Sequence, residues 1–153
     1  MRKKYKPKPI RMDNMAFVQA GIRSFETLPA GTTLRIKNHQ ALNNLRMGTA
    51  SKADMDMLIA ATNIAEALCK MGKGTDWQDE IHAGRDALVV AARRGAAPLR
   101  FVLTGPELKS LNLMMEIHDA QLDACTVQDI ENAIDFVFQE LTHKRAISIL
   151  EKK

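Results

Sequence analysis

Apolar side chains recur every three or four residues along most of this chain, the pattern of helices that bury one face. The first recurrence predicts a helix over residues 13–25, which Asp13 caps and the segment 28–31 ends. Its apolar stripe consists of Phe17, Val18, Ile22 and Phe25. The segment that follows, residues 33–37, is ambiguous by period.

Further capping signals divide the remainder of the chain into helices. They are predicted over residues 38–46, 52–71, 75–94, 104–125 and 126–141, the last with an extension over 146–150, and the caps are Asn38, Ser51, Thr75 or Asp76, Thr104 and Thr126. The small residues Gly84, Ala87 and Ala91 share one face, which predicts that another helix crosses closely there. Residues 99–103 fit either an extended connection or a helical turn. The short connection at Cys125 predicts an antiparallel hairpin of the last two helices.

These elements predict an all-α fold: a compact bundle of about five helices with a C-terminal antiparallel helical hairpin and an extended basic N-terminal arm. The arm covers residues 1–12, where Pro7 and Pro9 favour extended backbone. Residues 13–153 are predicted to form a single helical domain. Hydrophobic residues make up 46% of the chain but aromatic residues only 5%, so the core must consist mainly of Leu, Ile, Ala and Met.

Charge is partitioned between the two ends of the chain. The first eleven residues hold six of the 22 basic side chains and none of the 18 acids, so residues 12–153 carry 16 against 18, a balance of −2. Residues 110–143 contain seven acids and no Lys or Arg. Such a separation of charge favours macromolecular binding over catalysis.

The basic arm is the first candidate binding site. Its binding residues are Arg2, Lys3, Lys4, Tyr5, Lys6, Lys8 and Arg11. Closely spaced cations with an interleaved aromatic ring can follow a phosphate backbone or engage an acidic protein. A solubilising tail, or a tail that pairs with the chain's own acidic helices, has the same composition.

An acidic surface on the last two helices is the second candidate. Glu116, Asp119 and Asp123 recur at i, i+3 and i+7, which places their carboxylates on one side of a helix. A surface of this kind can dock a basic partner or a second copy of the chain, or mimic nucleic-acid phosphate. A solvated helix face explains the same spacing.

Catalytic chemistry has little support in the sequence. Asp79, His82 and Asp86 share a helix face, but the repeated Glu-x-x-His unit of a carboxylate-bridged metal site is lacking. Cys69 lies on an apolar stripe and Cys125 at a bend, so both are predicted to be reduced, buried thiols. We therefore predict no catalytic residue, no metal and no cofactor, and we keep a metal-dependent enzyme as a second alternative.

Membrane association is not predicted either. No apolar run approaches the roughly 20 residues that cross a bilayer. Asp13, Asn14 and Gln19 interrupt any signal-peptide core. The expected location is the cytoplasm.

Three stretches resemble a group of small uncharacterised proteins encoded by phages and prophages of proteobacteria. They are the arm from Arg2 to Pro9, the segment from Leu34 to His39, and the segment from Thr104 to Leu108 leading to Glu116 to Leu122. The resemblance covers most of the chain and carries no catalytic motif. It implies a context, because small phage accessory proteins often bind a host machine and block or redirect it.

The predicted function is therefore that of a non-enzymatic phage accessory protein in a bacterial host. It would inhibit or redirect a host protein or nucleoprotein machine through the basic arm and the acidic surface, with a host or phage protein as partner. The alternative is a nucleic-acid-binding regulator of transcription or replication. A helix-turn-helix interpretation would direct the polar residues Asn38, His39, Gln40, Asn43, Asn44 and Arg46 toward the bases.

Overall fold

Residues 29–143 are described in the computed structural model, and they form five α-helices with no strand among them. The helices are α1 (Pro29–Met47), α2 (Lys52–Lys70), α3 (Gln78–Gly95), α4 (Gly105–Ala124) and α5 (Val127–Thr142), with a 3-10 turn at Thr75–Trp77 leading into α3. The predicted all-α bundle is thus confirmed. The arm, the predicted helix over residues 13–25 and the predicted extension over residues 146–150 lie outside the described residues.

Three helices begin with the capping boxes that the sequence predicts. At the start of α2 the hydroxyl of Ser51 accepts a hydrogen bond from the backbone N–H of Asp54, whose carboxylate accepts one from the backbone N–H of Ser51 at 2.7 Å. Thr104 with Glu107 starts α4 in the same way, and Thr126 with Asp129 starts α5. Each box satisfies two N–H groups that a helix start leaves without an intrahelical acceptor.

The first described helix departs from the prediction. α1 is continuous through the ambiguous segment 33–37, so Asn38 lies inside a helix and does not cap one. Asn38 is fully buried, because it falls on the same helix face as Leu34 and Leu42, which pack into the core. The predicted end at Gly48 is confirmed, and its φ of +72° is a conformation that glycine adopts without strain.

α3 and α4 cross closely at Gly84, as the small-residue face of α3 predicts. A Cβ built on Gly84 would lie 2.3 Å from the Cβ of Met114 and 3.2 Å from the carbonyl oxygen of Ser110. Such a short contact between carbon atoms is not tolerated, so the crossing requires glycine. Residues 99–103, left open by the sequence, form an irregular connection whose Phe101 side chain is buried.

The core of the described residues has two parts. The larger cluster joins α1 to α4 and includes Leu45, Leu58, Leu88, Leu111 and Met115. The smaller cluster lies where α5 begins and consists of Ala67, Leu68, Leu122, Cys125, Ile130 and Ala133. Leu34 from α1 and Val127 from α5 pack against this smaller cluster. The start of α1 and the start of α5 therefore lie at the same end of the bundle.

α5 packs mainly along α2 and not back along α4. The ammonium of Lys70 lies 5.2 Å from the ring centre of Phe136, and that of Lys73 lies 3.5 Å from the carboxylate of Asp129. The turn between α4 and α5 is short, as predicted. The two helices do not pack along each other as the predicted hairpin requires, because α5 packs on α2. α4 packs instead against α3, along the face that Gly84 and Met114 share.

Candidate binding surfaces

A groove of about 740 Å³ lies between α2, α3 and the second half of α5. Its apolar lining includes Met55, Ile59, Val89, Phe101, Val137 and Leu141. Along α2 the lining extends from Lys52 to Lys70, which is about 27 Å at the rise of an α-helix. The groove is therefore long enough for about five turns of a second helix.

Charged side chains of both signs line the same groove, and several pair with one another. Lys52 contacts Asp56 at 2.7 Å. Arg85 donates to Glu66 at 2.9 Å and also to Asp86. These pairs partly compensate the charges, and most of the groove's lining surface is apolar.

The predicted acidic surface lies on α4, and α1 neutralises part of it. Nε2 of His39 lies 2.6 Å from the carboxylate of Asp119. The guanidinium of Arg35 contacts the carboxylate of Asp123 and donates to the backbone carbonyl of Asp119 at 3.4 Å. Glu116 is exposed. The structure thus brings the three acids together, but as part of a surface of mixed charge.

The last helix carries acids and apolar side chains on its exposed surface. The side chains of Ile134, Phe138 and Leu141 are 36%, 64% and 50% exposed. Ile134 and Leu141 have the helical spacing of a buried stripe, but both side chains are exposed. Glu131 and Asp135 are exposed on the same helix. This combination of acidic and apolar groups was not predicted as a site.

A buried polar contact holds the end of α2 against α4. Nε2 of Gln121 donates to the carbonyl oxygens of Ala65 at 3.1 Å and of Lys73 at 2.8 Å. Nδ1 of His118 lies 3.4 Å from Oε1 of Gln121, and burial lowers the pKa of His118. The sequence did not predict this contact, because glutamine and histidine on an apolar face give no signal of what they meet.

The two thiols are buried and unpaired, as predicted. Burial raises the pKa of Cys125 to about 11 and also raises that of Cys69. A protonated, buried thiol is a poor nucleophile. Over residues 29–143, no group of three or more His, Cys, Asp and Glu side chains is arranged to hold a metal ion.

The polar face that a helix-turn-helix would use is largely engaged within the chain. Asn38 is buried, Asn44 donates to Asp54 at 3.2 Å, and Asn43 accepts from Arg46 at 2.9 Å. Direct contact with bases would require these bonds to break. The arm residues Arg2, Lys3, Lys4, Tyr5, Lys6, Lys8 and Arg11 lie outside the described part of the chain.

No protein-family model, no curated protein and no solved structure matches this chain. The phage resemblance therefore stays a prediction. None of the helices between residues 29 and 143 has the length and apolar character needed to cross a membrane.

Proposed function

We propose that this protein is a non-enzymatic accessory protein of phage origin that acts by binding a host or phage protein. The observation that supports the proposal best is the apolar groove between α2, α3 and α5. A groove with an apolar lining and a charged margin suits an amphipathic helix, which inserts side chains at i, i+3 or i+4, and i+7. The partner we propose is therefore a protein that presents such a helix.

In this proposal the charged segments guide and orient the partner. The basic arm would steer an acidic partner toward the bundle, because clustered charge raises the rate of encounter more than it raises affinity. The surface formed by Glu116, Asp119 and Asp123 with Arg35 and His39 would discriminate between partners. The pairs with Arg35 and His39 leave Glu116 as the acid best placed to meet a basic group.

The groove is tested with two neighbouring valines of α3. Val89 lines the groove, whereas Val90 is 50% exposed and lies outside its lining. The tagged full-length chain and its Val89→Asp and Val90→Asp variants would be used to capture a partner from the bacterial host, with helicity checked by circular dichroism. We expect Val89→Asp to reduce capture of the same protein at least tenfold and Val90→Asp to retain it. Equal capture by both folded variants would reject the groove as the binding site.

Nucleic acid is the second candidate partner, because six cations lie within the first eleven residues. Binding by the arm should weaken steeply with salt, and replacing Lys3, Lys4 and Lys6 together by Ala should weaken it on every sequence alike. A gel-shift series at rising salt measures both effects. Absence of any shift at low salt would reject this candidate and leave the protein-binding proposal intact.

A further inference from the structure

The α5 apolar face, defined as Ile134, Phe138 and Leu141, remains 36–64% exposed among the described residues. These side chains recur at i, i+4 and i+7, and Val127 continues the same stripe toward the start of the helix. At that start the stripe reaches the smaller core cluster, against which Val127 packs. Three large exposed apolar side chains on one helix face form a patch that soluble proteins usually cover or use.

We propose that residues 13–25 of this same chain cover the α5 apolar face as an amphipathic helix. Their own stripe of Phe17, Val18, Ile22 and Phe25 has the spacing to meet it. A helix of 13 residues is about 20 Å long, which exceeds the roughly 10 Å from Ile134 to Leu141. Leu141 also lines the groove, but Ile134 and Phe138 lie outside its lining, so the inference does not depend on the groove's occupant.

The course of the chain supports this occupant. α1 begins at Pro29, and Leu34 on its second turn packs against the same cluster as Val127. The chain therefore enters α1 beside the start of the α5 apolar face. Phe25 precedes Pro29 by four residues, which span at most about 14 Å. That distance is enough for a turn that brings residues 13–25 alongside α5.

Charge favours the chain's own N-terminal residues over a second copy as the occupant. Residues 13–25 carry one cation, Arg23, and one acid, Asp13, and the arm that precedes them carries six cations and no acid. α5 carries four acids and no Lys or Arg, and Glu131 and Asp135 among them are exposed. Two α5 helices facing each other would bring like charges together, whereas the chain's own N-terminal segment brings opposite charges.

The direction in which residues 13–25 would run also determines where the arm would leave the bundle. α1 and α5 both run antiparallel to α2, since Asn44 meets Asp54 at the start of α2 and Asp129 meets Lys73 beyond its end. Residues 13–25, folded back from α1, would run antiparallel to α5. The arm then emerges near the C-terminal end of α5, where the helix dipole favours cations.

Cysteine pairs in the full-length chain test the contact. Ile22→Cys combined with Ile134→Cys would be treated with a short bismaleimide. Ala20→Cys with Ile134→Cys is the control, because Ala20 lies on the opposite side of the predicted helix from Ile22. The native thiols are buried. We expect an intrachain link at least tenfold faster for the Ile22 pair, at a rate independent of protein concentration. Equal rates for the two pairs would overturn the proposal, as would links that form only between chains.

Hydrogen exchange provides a readout that leaves α5 unaltered. Phe17→Asp should increase amide exchange across residues 134–142 about tenfold, and Gln19→Asp should leave it unchanged. Unchanged exchange in Phe17→Asp would contradict docking of the segment. Faster exchange throughout α1 to α4 as well would also contradict it, because residues 13–25 would then support the whole bundle and not this face.

Discussion

The close crossing of α3 and α4 predicts how much stability the substitution Gly84→Ala should cost. The added methyl group would lie 2.3 Å from the Cβ of Met114, whereas ordinary van der Waals contact of such atoms begins at 3.4 Å. α3 and α4 must therefore separate by roughly 1 Å or distort locally. Separation also loosens the buried side chains of Leu88 and Leu111 on the two helices.

Two opposing effects set the magnitude. Replacing a helix-interior glycine by alanine favours the helix by about 1 kcal/mol. Overpacking of a filled core costs about 1–3 kcal/mol. The upper end applies at Gly84, because the opposing atom is a Cβ fixed to the backbone of Met114 and cannot swing away. We expect a net loss of about 2 kcal/mol in the free energy of unfolding, which lowers Tm by roughly 4–8 °C.

Thermal and urea unfolding followed by circular dichroism at 222 nm measure this loss. Gly105→Ala is the matched control, because a Cβ at Gly105 meets no atom within 4 Å; it should leave stability unchanged or raise it by up to about 1 kcal/mol. Met114→Ala should not rescue Gly84→Ala, since the clashing Cβ remains. If Gly84→Ala is as stable as the wild-type protein, the close crossing is wrong.

Three further predictions follow from ionisable groups. Glu107→Gln keeps an acceptor for the capping box but removes the ion pair with Arg94, whose hydrogen bonds lower the pKa of Glu107 to about 2. The wild-type protein should be more stable than the variant at pH 6, and this advantage should disappear as pH falls from 4.5 to 2, as urea unfolding at pH 6 and pH 2.5 would show. Burial lowers the pKa of His118 in the folded chain, so the unfolded chain takes up the proton first and stability should fall as pH drops below about 6.5; His118→Gln should flatten that slope, and an unchanged slope would assign it to other groups. Cys69 and Cys125 should react with Ellman's reagent at pH 8 only after unfolding in urea, because both are buried with raised pKa values; rapid reaction of the native protein would contradict their placement.

Local signals predicted the elements that depend on residues close in sequence. Each capping box joins positions three residues apart, so Ser51, Thr104 and Thr126 reveal helix starts without knowledge of the fold. The prediction that Asn38 caps a helix was wrong because contacts distant in sequence override the local preference. An asparagine favours a cap when only its neighbours are considered, but in this protein the packing of the Leu34 and Leu42 face continues the helix through it.

The surfaces depend on contacts that the sequence does not encode locally. Arg35 and Asp123 are 88 positions apart and His39 and Asp119 are 80 apart, so no spacing rule pairs them. The groove exists because α5 packs on α2 beside α3, which periodicity alone does not specify. Periodicity likewise places Ile130, Ile134, Val137 and Leu141 at helical spacing, but it does not specify which of them other helices cover.

Arg35 of α1 pairs with Asp123 of α4, whereas Glu131 and Asp135 of α5 remain exposed, and this difference connects the two proposals. A segment docked on α5 holds the arm's cations near the C-terminal end of α5, where the helix dipole attracts them in place of a phosphate backbone. Phe17→Asp should therefore release the arm. If nucleic acid is a ligand, Phe17→Asp should bind it more tightly than the wild-type protein at the same salt concentration, even though the substitution adds a negative charge. Weaker binding by Phe17→Asp than by Gln19→Asp, which adds the same charge, would show that docking does not restrain the arm.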